Sequence, residues 1–177
     1  MAFLDNQCWY AVQVKARHEV QVGGALRSKG YETIVPAYKV TRQWSDRKKV
    51  IEIALFPTYA FCRFDCNIKT PILGTPGVMG IVGFGKGPEP ISESEIDSLK
   101  IVSKSGVPCV PHPFVQAGNK VEVIGGPLTG VKGIVVSTGK KNRIVISVEL
   151  VHASVIVEVD ESMIQLASPR DGQVRVA

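Results

Sequence analysis

Apolar and polar positions change their rhythm twice along this chain of 177 residues. Near the start, Cys8–Val14 (CWYAVQV) is aromatic and β-branched, which predicts a central strand. Over Arg17–Lys29 the rhythm becomes helical. Val22, Ala25 and Leu26 fall at i, i+3 and i+4, and Gly30 suits the stop. Gly23 and Gly24 interrupt that helix at about 1 kcal/mol each relative to alanine, and suggest close packing on a neighbouring strand. Tyr31–Val40 and Val50–Leu55 read as strands around a polar, basic loop. Tyr59–Phe64 and the short Val78–Val82 read as further strands. Ser92–Val102 reads as a helix opened by a capping box, Ser92 with Glu95, with Ile96 and Leu99 on its apolar side.

Beyond residue 117 the rhythm is that of strands alone. Val121–Ile124, Val131–Ser137, Arg143–Val148 and Ser154–Val159 are short, β-branched and separated by turn signals such as Thr138-Gly139 and Lys141-Asn142. That spacing suits a small barrel. Between the halves, residues 104–116 carry Pro108, Pro111 and Pro113, which block helix and favour extended backbone. Fully extended, such a link reaches roughly 40 Å at ~3.1 Å per residue. The predicted organisation is therefore an α+β domain over 8–103, a link over 104–116, an all-β barrel over 117–167 and a loose tail over 168–177.

Composition narrows the function classes. Hydrophobic content of 45% is ordinary for a globular protein, and the net charge of +5 permits nucleic-acid contact without demanding it. The opening MAFLDNQCWY lacks the charged and apolar regions of a secretory signal, and no run of ~18 apolar residues suggests a membrane span. The four cysteines, Cys8, Cys62, Cys66 and Cys109, form no C-x-x-C pair, so reduced thiols in a cytoplasmic setting are expected.

Four constellations could carry chemistry. The loop KVTRQWSDRKKV at 39–50 sets Lys39, Arg42, Arg47, Lys48 and Lys49 against Asp46, with Trp44 among them. It reads either as a phosphate- and base-contacting surface or as a solvated hairpin tip with Trp44 packed across the strands. In LFPTYAFCRF at 55–64, alternation places Tyr59 and Phe61 on one strand face. Periodicity alone assigns these aromatics to a core; the other reading is a pocket for a partner's helix. Cys62, Cys66, His18, His112 and His152 lack the paired spacing of a metal site, and Cys62 sits in an apolar strand unsuited to a reactive thiolate. GIVGFGKG at 80–87 is glycine-rich but lacks the Walker spacing, and reads as a surface loop. No cofactor and no catalytic residue is expected; an enzyme using Cys62 or Cys8 ranks last.

GNKVEVIGGPLTGVKGIVV at 118–136 reads as strand, glycine-rich turn and strand, with Gly133 marking a bulge or close backbone approach. It resembles the KOW motif of small barrels in transcription and translation proteins. With WYAVQVKARHE, LFPTYAFCRFD, TPGVMGIVGFG and PISESEID in order before it, the chain resembles the NusG family of transcription elongation factors. The likeness is strongest to its specialised, RfaH-like members.

The resemblance implies an NGN domain, an antiparallel sheet flanked by helices, followed by a five-stranded SH3-like KOW barrel. It implies docking of the NGN domain on the clamp helices of the RNA polymerase largest subunit and suppression of pausing or termination. The aromatic depression that docks would include Trp9 or Tyr10, Phe56, Tyr59 and Phe61. Lys69 and Thr70 fall near the contact to the opposite polymerase lobe. Lys15, Arg17, Arg42, Trp44, Arg47, Lys48 and Lys49 fall where family members approach upstream or non-template DNA.

Leu150, Val151 and His152 mark the barrel's partner-binding connection. Housekeeping members carry a phenylalanine and an arginine there, which help bind Rho or a ribosomal protein. Val151 and Ala153 or its neighbour replace them, which puts that coupling in doubt. The β-branched Arg143–Val159 argues for a barrel over the helical hairpin of some relatives. A monomer is expected. The alternative is a ribosome- or RNA-associated KOW protein, with Lys132, Lys140, Lys141 and Arg143 on phosphates.

Overall fold

The computed structural model describes residues 7–44, 46–85, 87–115, 118–138 and 141–167, the side chains at 137, 138, 141 and 142 excepted. Strand β1 (Gln7–Val14) lies inside a four-stranded sheet, between β5 (Tyr59–Asp65) and β6 (Val78–Ile81), with β2 (Thr33–Ile34) beyond β5. All three pairings are antiparallel. The central strand is covered on both sides, which is why its apolar run does not alternate with polar residues. Trp9 and Ala11 enter one hydrophobic cluster, while Tyr10, Val12 and Val14 enter another.

The second of those clusters is closed by α1 (Glu19–Ser28), through Val22 and Leu26. Gly23 has a reason that composition could not give: a Cβ there would stand 2.6 Å from Val35 Cγ2. Gly24 has open space around it, and nothing in the structure explains it. The stretch Tyr31–Val40 is divided: after β2 the chain passes Pro36, and β3 (Ala37–Gln43) then pairs with β4 (Lys48–Ala54) as a separate two-stranded ribbon. A short helix, α2 (Thr70–Leu73), precedes β6. Helix α3 (Glu93–Ser105) begins on the predicted capping box, with Ser92 and Glu95 hydrogen-bonded reciprocally. It runs past the predicted end to Gly106, whose φ of 70° stops it.

The rest of the described chain is a single antiparallel sheet of six strands in the order β12-β8-β9-β10-β11-β7. These are β7 (Cys109–Pro113), β8 (Asn119–Val123), β9 (Lys132–Thr138), β10 (Lys141–Val148), β11 (Ala153–Val159) and β12 (Ile164–Leu166). The all-strand reading of this half agrees with the structure, but two strands escape it. The free link expected over 104–116 is instead the end of α3 followed by β7, an edge strand on β11. Pro111 and Pro113 are tolerated because an edge strand needs donors on one side only. Residues 117–167 hold the expected five strands, β8 to β12, and β7 joins them from outside that range as a sixth. The tail over 168–177 lies outside the described residues. Gly133 is the predicted close approach: a Cβ would lie 2.5 Å from Ile144 Cγ2 and 2.7 Å from the Val145 carbonyl oxygen.

Candidate docking face and nucleic-acid interface

One side of the first sheet collects aromatic rings from separate elements. Trp9 comes from β1, Phe56 from the turn after β4, and Phe61 with half-buried Tyr59 from β5. Phe56 and Phe61 meet edge to face, with ring centroids 5.3 Å apart. Tyr59 and Phe61 share this side, as alternation predicts. Tyr10 does not. Its ring lies on the α1 side against Phe64, centroids 4.7 Å apart, so of the pair Trp9 and Tyr10 only Trp9 joins the others.

These rings do not form an open hollow. Trp9, Phe56 and Phe61 are at most 1% exposed, which corrects the expectation of a concave face ready for a guest. The apolar cluster continues through Ile96, Leu99 and Val102 of α3 to Val121, Val123, Leu128, Val131 and Ile144 of the second sheet. Burying a large apolar side chain yields about 1.5–3 kcal/mol. An uncovered face of three such rings would forfeit several kcal/mol in water, so α3 and the second sheet close over it.

Helix α3 is the shared wall. On one side Lys100 sits over the Trp9 ring at 4.6 Å and pairs with Glu32 at 2.8 Å. On the other, the Lys132 N–H donates to Ser98 Oγ at 3.0 Å, and the Glu149 N–H donates to Glu95 Oε1 at 3.3 Å. Glu95 thereby uses one oxygen on the second sheet, while Oε2 accepts from the Ser92 hydroxyl at 2.9 Å. Leu150 and Val151 pack partly buried against the same cluster. His152 is exposed, with a left-handed φ of 45°, and its ring meets Phe114 edge-on at 4.9 Å. The indole N–H of Trp9 is buried and has no hydrogen-bond partner among the described residues.

The basic ribbon is a surface of a different kind. Arg42 lies opposite Lys49, and Gln43 opposite Lys48, across β3 and β4. Trp44, whose N–H donates to the Arg47 carbonyl at 2.8 Å, is 59% exposed. Trp44 therefore is not packed across the strands. Like charges directly opposite destabilise a ribbon, and an anion between them would reverse that penalty. Lys15 and Arg17 are exposed in the turn between β1 and α1.

Arg17 is held by a residue the sequence did not mark. The buried Glu19 carboxylate accepts from the Arg17 N–H at 3.2 Å and from the Thr58 N–H at 2.8 Å. Arg17 and Thr58 both take positive φ, 67° and 68°. Glu19 thus fixes both a candidate DNA contact and the turn before Tyr59.

Lys69 and Thr70 are exposed at the start of α2. Lys69 edges a shallow hollow of about 320 Å³ with Leu73, Ile81, Gly83, Gly85, Gly87 and Pro88, so the glycine-rich loop lies beside it. Burial pushes the Cys62 thiol up to about 11, despite a hydrogen bond from the Thr33 hydroxyl at 3.4 Å, which suits an inert thiol. Burial raises Cys109 as well. Among the described residues, no three His, Cys, Asp or Glu side chains gather as a metal would require, and no helix is long and apolar enough to cross a membrane.

Comparison with known proteins follows the same outline. Residues 7–100 match the family model described as "Transcription termination factor nusG". The transcription termination/antitermination protein NusG of Thermus thermophilus is 27% identical over 88% of this chain and 96% of its own length. That of Helicobacter pylori strain J99 is 31% identical over 67% of this chain and 74% of its own length. A solved structure, "Domain interaction in Thermotoga maritima NusG", shares the fold with a TM-score of 0.54 at 19% identity, covering 92% of this chain and 98% of that one.

Proposed function

Since the chain belongs to the NusG family, whose members are transcription factors and not enzymes, we propose that it is an elongation or antitermination factor. It docks on the RNA polymerase clamp helices and suppresses pausing or termination. The observation that supports this most is the collection of Trp9, Phe56, Tyr59 and Phe61 on one side of the first sheet. A core built for stability alone has no need of a half-exposed tyrosine at its rim or an unpaired indole N–H within it.

Docking through this face requires α3 and the second sheet to yield. The free protein is then a closed form, and polymerase selects an open one. The apparent affinity is the intrinsic affinity reduced by the open fraction. Lys69 and Thr70 would face the opposite polymerase lobe, and the ribbon with Lys15 and Arg17 would approach DNA. In the second sheet, the KOW barrel of this reading, Leu150, Val151 and His152 would receive a further partner. Val151 in place of an aromatic favours a specialised, RfaH-like member over one coupled to Rho or to a ribosomal protein.

Titration of core RNA polymerase against the full chain tests the reading. Tyr59→Ala is expected to weaken binding by about tenfold or more, the size of one lost contact of roughly 1.4 kcal/mol. A chain that ignores polymerase, or binds it equally with Tyr59→Ala, overturns the docking role. The exposed ribbon gives a second reading its support, that of an RNA-binding protein. Polymerase binding that collapses steeply with salt while Tyr59→Ala has no effect would favour it.

A further inference from the structure

We propose that Cys8 and Cys66 form a peroxide-oxidisable thiol pair, closed by a disulfide at the end of the β1–β5 strand pair. The pairing of β1 with β5 sets Cys8 opposite Phe64, two residues before Cys66. Residues 8 and 10 on β1 and 62 and 64 on β5 share one side by alternation. On that side the Tyr10 ring packs on Phe64, with centroids 4.7 Å apart, and Cys66 packs against the same hydrophobic cluster. Burial, then Cys66 and Cys8, raise the pKa of the Tyr10 hydroxyl well above its ordinary value.

Exposure separates this pair from the other thiols. Cys8 is exposed and Cys66 partly so, while Cys62 and Cys109 are buried. Burial also pushes Cys62 up to about 11, which leaves it protonated and unreactive. Diagonal positions in a regular sheet stand about 7–8 Å apart, a little beyond the usual disulfide span. Cys66, however, opens the 3-10 turn Cys66–Ile68 just past the end of β5, outside the ladder. Closing the bond needs a shift of that turn and leaves the sheet pairing in place.

The chemistry balances with hydrogen peroxide as oxidant. The Cys8 thiolate attacks one peroxide oxygen, the O–O bond breaks, and the departing hydroxide takes a proton to become water, leaving a sulfenic acid. The Cys66 thiolate then attacks the Cys8 sulfur and the S–O bond breaks. The second hydroxide leaves as water once protonated. Two thiols lose two electrons in all, and one peroxide becomes two waters.

The test treats the full chain with hydrogen peroxide under native conditions, then alkylates, digests and maps the peptides by mass spectrometry. The expected result is one intramolecular peptide cross-link, Cys8 to Cys66, with Cys62 and Cys109 still free. Dithiothreitol should restore all the thiols. In Cys66→Ser the cross-link should vanish, and Cys8, left without its resolving thiol, should instead accumulate as a sulfenic or sulfinic acid. Cross-links to Cys62 or Cys109, covalent dimers, or Cys8 and Cys66 both still alkylatable after oxidation would each overturn the assignment. The readout is chemical, so it stands or falls separately from polymerase docking.

Discussion

Single residues do work here that their neighbours in sequence do not disclose. Glu19 opens α1 and reads as an ordinary first-turn acid, yet its carboxylate holds the backbone of Arg17 and Thr58. Positive φ at a residue other than glycine costs of order 1–3 kcal/mol, and two such residues persist because Glu19 satisfies both. Glu19→Ala is expected to destabilise the fold by about 2–3 kcal/mol, since hydrogen bonds to a charged acceptor are the stronger kind. A urea midpoint that falls without a change in slope would show it, and a change under 0.5 kcal/mol would dismiss the clamp. Cys62 gives a prediction with a pH sign. Its thiol is raised from 9.0 to about 11, so the folded state holds the proton more tightly than the unfolded one. The contribution is whole below pH 9 and is lost as pH climbs to about 11. Urea midpoints of the wild type should therefore fall more steeply over that window than those of Cys62→Val. At this scale the sequence was legible where chemistry is local, as in the capping box of Ser92 and Glu95. It was illegible where a partner lies far along the chain, as with Glu19 and Thr58 or Gly23 and Val35.

Elements were legible in proportion to how regular their patterns are. Strand β1, α1, β5 and α3 stand where the periodicity places them, with ends displaced by a few residues. Strand β7 was hidden by its own prolines, which signal a link unless an edge position makes them harmless. Strand β12 is three residues long, too short for alternation to register. The ribbon of β3 and β4 was anticipated as a basic hairpin. Its register adds what composition could not: Arg42 and Lys49 face each other, and Trp44 is bare. Arg42→Gln with Lys49→Gln is expected to leave the fold intact and slightly relieve the ribbon. It should weaken binding to a DNA duplex and flatten the salt dependence by about two phosphate contacts. Fluorescence anisotropy across a salt series reads this. An unchanged slope would return the ribbon to the role of a solvated tip.

At the scale of the molecule, two halves share one core. The sequence announced both halves and their order; the family model matches residues 7–100, and the Thermus thermophilus relative aligns over 88% of the chain. It could not announce that they would meet, because the meeting depends on Ser98 facing Lys132, Glu95 facing Glu149 and Ile101 lying against Gly130. The same fact explains why periodicity and resemblance read the aromatics differently. Periodicity assigned them to a core, and in the closed form they are one. The resemblance assigned them to a surface, and on the proposed mechanism they become one when α3 and the second sheet move away.

Ile101 offers the sharpest handle on that movement. It is half-buried on α3, its Cδ1 close against Gly130 of the second sheet, and Glu in its place would weaken the closed form without cutting the chain. The decisive measurement is the affinity of core RNA polymerase for the full chain carrying Ile101→Glu, alone and combined with Tyr59→Ala. The account predicts binding tighter by about tenfold for Ile101→Glu, as the open fraction rises, and loss of that gain when Tyr59→Ala is added. Equal affinity for wild type and Ile101→Glu, or a gain that survives Tyr59→Ala, would contradict it.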